Sequence, residues 1–225
     1  MITPIIVGFS GVAGSGKDEA ARVALAVLEG ASVPASQYSF AYPLKEVCKF
    51  IFQMTDEEMT NRDLKEQVSR LGYGMTNRRI MQLVGTESFR NVFNENIWID
   101  VAERLISQSG SDVVVISDVR FENEAKWVKE NGFLIHIDPT GREGFRAIES
   151  SDHPSEAGYT TVPSLVIQNN KSLDHFVSEV QKVVSSTVVP TYKSIAKQIQ
   201  IAMEDMRTTA TDIKASTLAA LNEDI

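Results

Sequence analysis

A chain of 225 residues with 43% hydrophobic and 23% charged residues has the size and balance of one folded domain, or of one domain with an appended arm. Its net charge of −8 argues against a general binder of nucleic-acid polymers, and a single cysteine, Cys48, excludes an internal disulfide or a zinc site of several thiolates. No apolar run reaches the roughly 20 residues of a membrane span and the first residues lack a secretory pattern, so small-molecule partners, no membrane and a cytoplasmic location are expected.

The apolar run "IIVGF" (5–9) predicts a buried strand, and an Ala-rich helix pattern follows over 17–29. A weaker strand signal lies at "QYSFA" (37–41). Helical patterns then cover 43–54, 62–71 and about 77–107, the last broken near Gly85 and again before Trp98. "DVVVIS" (112–117) and "FLIHI" (133–137) are further buried strands around a helix over 121–131, and "SLVIQ" (164–168) precedes a helix over 171–186. Strands alternating with helices predict an α/β fold of three layers, a parallel sheet covered on both faces. Residues 139–163 carry Gly, Pro, Ser and charge without periodicity, and a loop this long in a compact domain is more often functional than idle. After Pro190 the chain becomes a strand-free helical arm with a thin apolar stripe of Ile195, Ile199, Ala202 and Met206. That arm reads as a partly ordered tail, as a helix packed on the main body, or as a contact in a homodimer.

Between the first strand and first helix, Gly11 to Lys17 spells G-x-x-x-x-G-K. Without side chains at Gly11, Gly14 and Gly16 the backbone can curl so that successive N–H groups, that of Ser15 included, point at phosphate oxygens. The helix that follows adds its positive end, and Lys17 supplies a mobile charge for the β and γ phosphates. Asp18 stands where such loops usually carry a hydroxyl. A carboxylate there can hold Mg²⁺ or orient the acceptor, and Glu19 is placed to share either role; a first-turn acid favoured only by the helix dipole is the other reading. Asp118 ends an apolar strand, where ligands gather in this fold class, so it is a second metal candidate or a cap for the helix over 121–131. Arg120, two residues on, is suited to offset charge on a transferring phosphoryl group.

Transfer between two anions needs a second basic pocket to hold donor and acceptor in line. Lys45 in "YPLKE" and Arg78 and Arg79 in "TNRRIMQLVGTESFR" are candidates, with Gln82 available to read a base edge. Together with the glycine loop they point to a kinase of small phosphorylated substrates. Trp98 either stacks on a base or fills core, Cys48 sits among apolar neighbours as a small hydrophobe, and His136 and His175 read as structural.

Over about 5–185 the sequence resembles the deoxynucleoside monophosphate kinases of tailed bacteriophages, which phosphorylate dNMPs with ATP and Mg²⁺ on an adenylate-kinase-like P-loop fold. The resemblance rests on "SGVAGSGKD", "PLKE", "RRIMQLVGTE" followed by "NIW", "VISDVRFENEA", "HPSEAGY" and "LVIQNNKSLDHF", in that order. It implies a donor site at Gly14, Ser15, Gly16 and Lys17 and a catalytic or metal role for Asp18. It implies further roles for Asp118 and Arg120 beside the transferring phosphate, and acceptor contacts from Lys45, Arg78, Arg79 and Gln82. Glu19 departs from the family, which commonly has Thr there, so that hydroxyl ligand is absent. The kinase domain is then expected over 1–188, with a helical acceptor-binding insertion at about 55–108 and a lid at about 139–163. The arm 189–225 lies outside the resemblance. In the lid, Arg142 and Arg146 are candidates for the donor phosphates; His153 and Glu156 supply too few ligands for zinc, and an acceptor-side role suits them better. A phosphomevalonate kinase is the nearest alternative, through "SGKD", "PLKE" and "SDVR", and a non-catalytic nucleotide-binding module is the alternative of another class.

Overall fold

The computed structural model describes residues 3–145 and 158–223. Five strands form one parallel sheet in the order β2-β3-β1-β4-β5: β1 Ile5–Ser10, β2 Ala35–Tyr38, β3 Val113–Val119, β4 Gly132–Asp138 and β5 Leu165–Gln168. The three strong apolar runs and the weaker one at 164–168 form strands as predicted. The second strand begins two residues earlier than expected, at Ala35, because Ala35 to Tyr38 pair with Val113 to Ile116 of β3.

Side chains of the central strands alternate between two buried clusters, as the period of a strand requires. Val7, Phe9, Val113, Val115, Ile135 and Ile137 face one layer, built from α1 (Lys17–Gly30) and later helices. Ile6, Val114, Ile116 and Leu134 face the other. Both faces are therefore apolar, which explains near-continuous Val and Ile runs in place of a polar alternation.

The helical insert follows β2. It comprises α2 Ala41–Phe52, α3 Asp56–Thr60, α4 Arg62–Lys65 and α5 Asn77–Gln82, which runs on as a wide π-helical segment Leu83–Arg90, and then α6 Ile97–Gln108. Two expectations are corrected here. The helix over 62–71 stops after one turn, since the chain closes a hairpin-like turn through the Val68–Thr76 bridge. The long pattern over 77–107 divides into a π-widened helix, an exposed turn and α6, because Arg90 turns inward and its Nη1 donates to the Glu95 carbonyl (2.7 Å), folding the chain back. A short helix absent from the sequence reading, α3, is held by a capping box between Thr55 and Glu58. Cys48 is fully buried with Met54, Met59 and Ile80 in the insert's own core, and burial pushes its thiol up to about 11.

Beyond β3, α7 Glu122–Asn131 covers the second face, α8 Leu173–Val183 covers the first, and a π-helical segment Val184–Val188 leads into α9 Val189–Glu223. Pro190 does not break the path. Val184, Val188 and Val189 lie in the same core as Val7, and the Tyr192 hydroxyl donates to Asp112 Oδ2 (3.0 Å), so the helix is rooted in the body. Residues 201–210 are exposed.

Arg90 and Glu124 form an ion pair with side chains 6% and 3% exposed. Burial pushes the Glu124 carboxyl up to about 7 and the Arg90 guanidinium down, each opposing the attraction of the other. Glu124 Oε2 also accepts the backbone N–H groups of Arg120 (2.8 Å) and Phe121 (3.1 Å), while Arg90 lies 3.9 Å over the Phe121 ring. These contacts fix the turn that carries Arg120. Arg90→Met, which leaves the carboxylate buried and unpaired, is expected to destabilise the fold by about 3–5 kcal/mol in urea denaturation, and Arg90→Met with Glu124→Leu to recover much of that loss.

Candidate active site

The loop after β1 is shaped by glycine. Gly11 has φ +138°, and a Cβ there would lie 2.5 Å from the Ile137 carbonyl; Gly16 has φ +107°, and a Cβ there would meet Asn169 Nδ2 at 2.7 Å. Lys17 Nζ donates to the carbonyls of Gly11 (2.7 Å) and Val12 (2.8 Å), which holds the ammonium on the loop. Asn169, just past β5, braces the loop from below by donating to the Ser15 carbonyl (2.7 Å). The Ser15 hydroxyl is buried without a hydrogen-bond partner among the described residues, inside a cradle that any Cβ at Gly11 would fill. The Ser15 amide donates to the Val12 carbonyl (3.1 Å), so it is the buried orphan hydroxyl, inside a glycine-shaped turn, that fits a phosphate group. Arg142 Nη2 donates to the Gly14 carbonyl (2.8 Å) and its guanidinium lies 4.7 Å from the Phe145 ring, so a cation rests on the loop's outer rim.

Asp118 comes next to the loop through an irregularity in the sheet. Between the pairs Gly8↔Ile116 and Ser10↔Val119, β3 advances three residues while β1 advances two. The extra residue re-aims the strand end, a use that bulges commonly serve. Asp118 Oδ2 accepts from Ser39 Oγ (2.7 Å) and Ala41 N (2.9 Å), and Oδ1 accepts from Phe40 N (3.0 Å). The helix it caps is therefore α2, not the one over 121–131, and the carboxylate keeps capacity for further contacts on Oδ1.

Lys17, Asp18, Asp118 and Arg120 share one electrostatic neighbourhood. Burial lowers the Lys17 ammonium to about 8, Arg120 adds to the shift, and the carboxylates of Asp18 and Asp118 oppose it. Asp18 is exposed in the first turn of α1 and makes no hydrogen bond or ion pair among the described residues. Glu19 is different: Arg22 grips both of its oxygens along the helix surface (2.9 and 2.5 Å), so the expectation that it shares the work of Asp18 is corrected.

The acceptor candidates divide. Lys45 and Arg78 lie together, since both act on the half-buried ammonium of Lys65, a residue that sequence reading overlooked. Both arginines meet carboxylates of the insert: Arg78 donates through Nε to Glu66 Oε1 (2.5 Å), and Arg79 gives both of its terminal nitrogens to Glu87. Gln82 is half-buried on the last turn of α5. Trp98 is corrected as well: it is 4% exposed, packs 5.2 Å from the Phe89 ring and donates through Nε1 to the Gly85 carbonyl (2.8 Å). A buried indole that supports the π-helical segment cannot stack on a base. Glu156, with Arg146 and His153, lies outside the described residues.

The family pattern described as "Deoxynucleotide monophosphate kinase" matches residues 65–180. A protein of Acanthamoeba polyphaga mimivirus assigned to the deoxynucleotide monophosphate kinases is 34% identical over 193 residues, covering 78% of this chain and 94% of the relative. The chain belongs to the deoxynucleotide monophosphate kinase family. Two further relatives are the deoxynucleoside-5'-monophosphate kinase of Escherichia phage T5, 28% identical with 68% of this chain and 84% of the relative covered, and the deoxynucleotide monophosphate kinase of Escherichia phage RB69, 29% identical with 53% and 49% covered. The protein is thus a phosphotransferase, and no helix among the described residues is long and apolar enough to cross a membrane.

Two supports of this kinase site escaped sequence reading although their motifs carried the resemblance. Asn169, in "LVIQNN", braces the phosphate loop. Tyr159, in "HPSEAGY", hydrogen-bonds through its hydroxyl to Ser10, which also meets His136 Nδ1 (3.3 Å), while Glu122 accepts from the backbone and side chains of Thr160 and Thr161. The chain that follows residue 157 is thereby tied to β1 and to the start of α7. No pattern of spacing marks such contacts in advance.

Phosphates favour the charged form of Lys17, so nucleotide binding raises its pKa from about 8. Affinity for a nucleoside triphosphate is expected to fall as pH rises through about 8, with proton uptake on binding above that point. Titration calorimetry at pH 8.5 in buffers of different ionisation enthalpy measures the uptake, and none is expected from Lys17→Met.

Proposed function

We propose that the protein transfers the γ-phosphoryl group of ATP to the phosphate of a deoxynucleoside monophosphate, giving the diphosphate and ADP. A phosphate oxygen of the acceptor forms the new P–O bond while the bond from the γ-phosphorus to the β-bridging oxygen breaks. No covalent intermediate on the protein is required. The observation that carries this reading is the convergence of the glycine loop, Lys17, Asp18, Asp118 and Arg120 beside a separate group of cations from the insert, Lys45, Lys65 and Arg78. Two anion seats side by side are what transfer between two phosphates needs.

In this reading the loop amides and Lys17 hold the β and γ phosphates, Arg142 covers the donor side, and Arg120 offsets charge on the transferring group. The stretch 55–108 holds the acceptor, with Lys45 and Arg78 on its phosphate and Gln82 near its base. The segment 139–163 serves as the donor-side cover, and 189–225 lies outside the catalytic unit. Among the described residues no group of three or more His, Cys, Asp or Glu gathers as a metal cage. That suits Mg²⁺, which keeps several waters and takes one or two carboxylates plus substrate phosphates. Asp18 would hold it from α1, with Asp118 reaching its water shell through Oδ1. Mg²⁺ bound there supplies neutralisation of phosphate charge.

Steady-state turnover with ATP and Mg²⁺ against the four dNMPs, their ribose counterparts and phosphomevalonate tests the reading. Turnover of at least one dNMP is expected, with Lys17→Met lowering kcat/KM by about a hundredfold or more. Turnover of phosphomevalonate without any dNMP, or full activity in Lys17→Met, overturns it.

A further inference from the structure

The cations of the helical insert fall into two sets. Lys49 pairs with Glu46 (2.9 Å) and Asp56 (2.8 Å), Arg70 with Glu58 (3.9 Å), Arg78 with Glu66 (2.5 Å) and Arg79 with Glu87. Lys65, the last residue of α4, is half-buried, and among the described residues it makes neither a hydrogen bond nor an ion pair. Taking an ammonium partly out of water beside no counter-ion is unfavourable. Lys45 and the side chain of Arg120 likewise have no hydrogen bond or ion pair among the described residues.

A path of contacts explains why these separate cations meet. Asp118 caps α2, so Lys45, one turn along, is fixed to the same strand end as Arg120. Leu44 lies against Gly85, which docks α2 on the π-helical extension of α5. Arg78 sits in the first turn of α5. The neighbouring Asn77, 1% exposed, donates through Nδ2 to the Leu64 carbonyl (2.9 Å), which brings the end of α4 beside Arg78. Each link is a packed or hydrogen-bonded contact, so Lys65 is delivered to the group by the fold and not by a mobile loop.

We propose that Lys65 is a direct contact for the acceptor's phosphate, adding from α4 a fourth cation to Lys45, Arg78 and Arg120. The proposal rests on the kinase reading and deepens it. Burial lowers the Lys65 pKa, Arg78, Lys45 and Arg120 lower it further, and Asp18 alone opposes them, so its surroundings already hold an excess of positive field that a phosphate dianion would offset. The donor phosphates have Lys17 and Arg142 on the loop, whereas every other cation that acts on Lys65 comes from the insert or the β3 exit. A lysine also suits this post: its compact charge on a flexible stem can follow a phosphate during transfer, where a bidentate arginine would hold it still.

Lys65→Met and Lys65→Arg are to be compared with the parent protein by dNMP kinetics at saturating ATP, by calorimetric titration of dNMP without ATP, and by thermal melting. Lys65→Met is expected to raise both KM and Kd for dNMP about ten- to a hundredfold, leaving the KM for ATP within about twofold. Its melting temperature without ligand is expected to stay the same or rise, because a partly buried unpaired charge is gone, and Lys65→Arg should restore much of the affinity. An unchanged dNMP Kd in Lys65→Met overturns the proposal, as does a fall in melting temperature with normal affinity in the folded protein, or an effect confined to ATP. A parent protein active on dNMPs with an indistinguishable Lys65→Met variant rejects Lys65 alone; a parent inactive on every dNMP rejects the kinase reading beneath it.

Discussion

One carboxylate joins the two halves of the site. Asp118, re-aimed by the extra residue in β3, takes three donors from Ser39, Phe40 and Ala41, and so fastens the start of α2 to the strand end beside the phosphate loop. A helix N-terminus with a carboxylate on its free amides is a favourable arrangement by hydrogen bonding and by dipole. Everything on the acceptor side hangs from that helix: Lys45 within it, the insert core at Cys48, and through Leu44 and Gly85 the helix that carries Arg78. The same side chain is thus structural and, in the kinase reading, catalytic, since its charge also acts on Lys17.

Electrostatics then separate the surface from the site. With a net charge of −8 the chain has an ample supply of acids, and most cations of the insert are matched by one. Lys45, Lys65 and the Arg120 side chain are exceptions among the described residues; Lys45, Arg120 and Asp18 act on Lys65, and Arg120 and Asp18 act on Lys17. A local positive field in an acidic protein attracts small anions. The buried Arg90–Glu124 pair supports this arrangement from beneath by fixing the backbone at Arg120 and Phe121.

Sequence patterns were informative in proportion to how local the physics is. The buried strands were readable because both faces of a parallel sheet demand apolar side chains. The insert was read less well. The capping box at Thr55 and Glu58 is legible in the sequence, and of the two breaks expected within 77–107 the one before Trp98 is present, whereas at Gly85 the chain continues as a π-widened helix. Residue type leaves Trp98 open between a base and the core, and its bond to the Gly85 carbonyl places it in the core.

The sequence by itself determined the phosphate loop, because its glycines, its lysine and the helix start that follows lie within seven residues and need only local backbone geometry. It determined the layered α/β plan for the same reason, since hydrophobic periodicity is a property of each segment alone. Only the tertiary structure decided which cations gather around Lys65. Lys45, Lys65, Arg78 and Arg120 come from four segments, and whether a cation is paired on the surface, as Arg79 is, or left without a counter-ion beside the loop, as Lys65 is, depends on packing between segments that no spacing along the chain encodes.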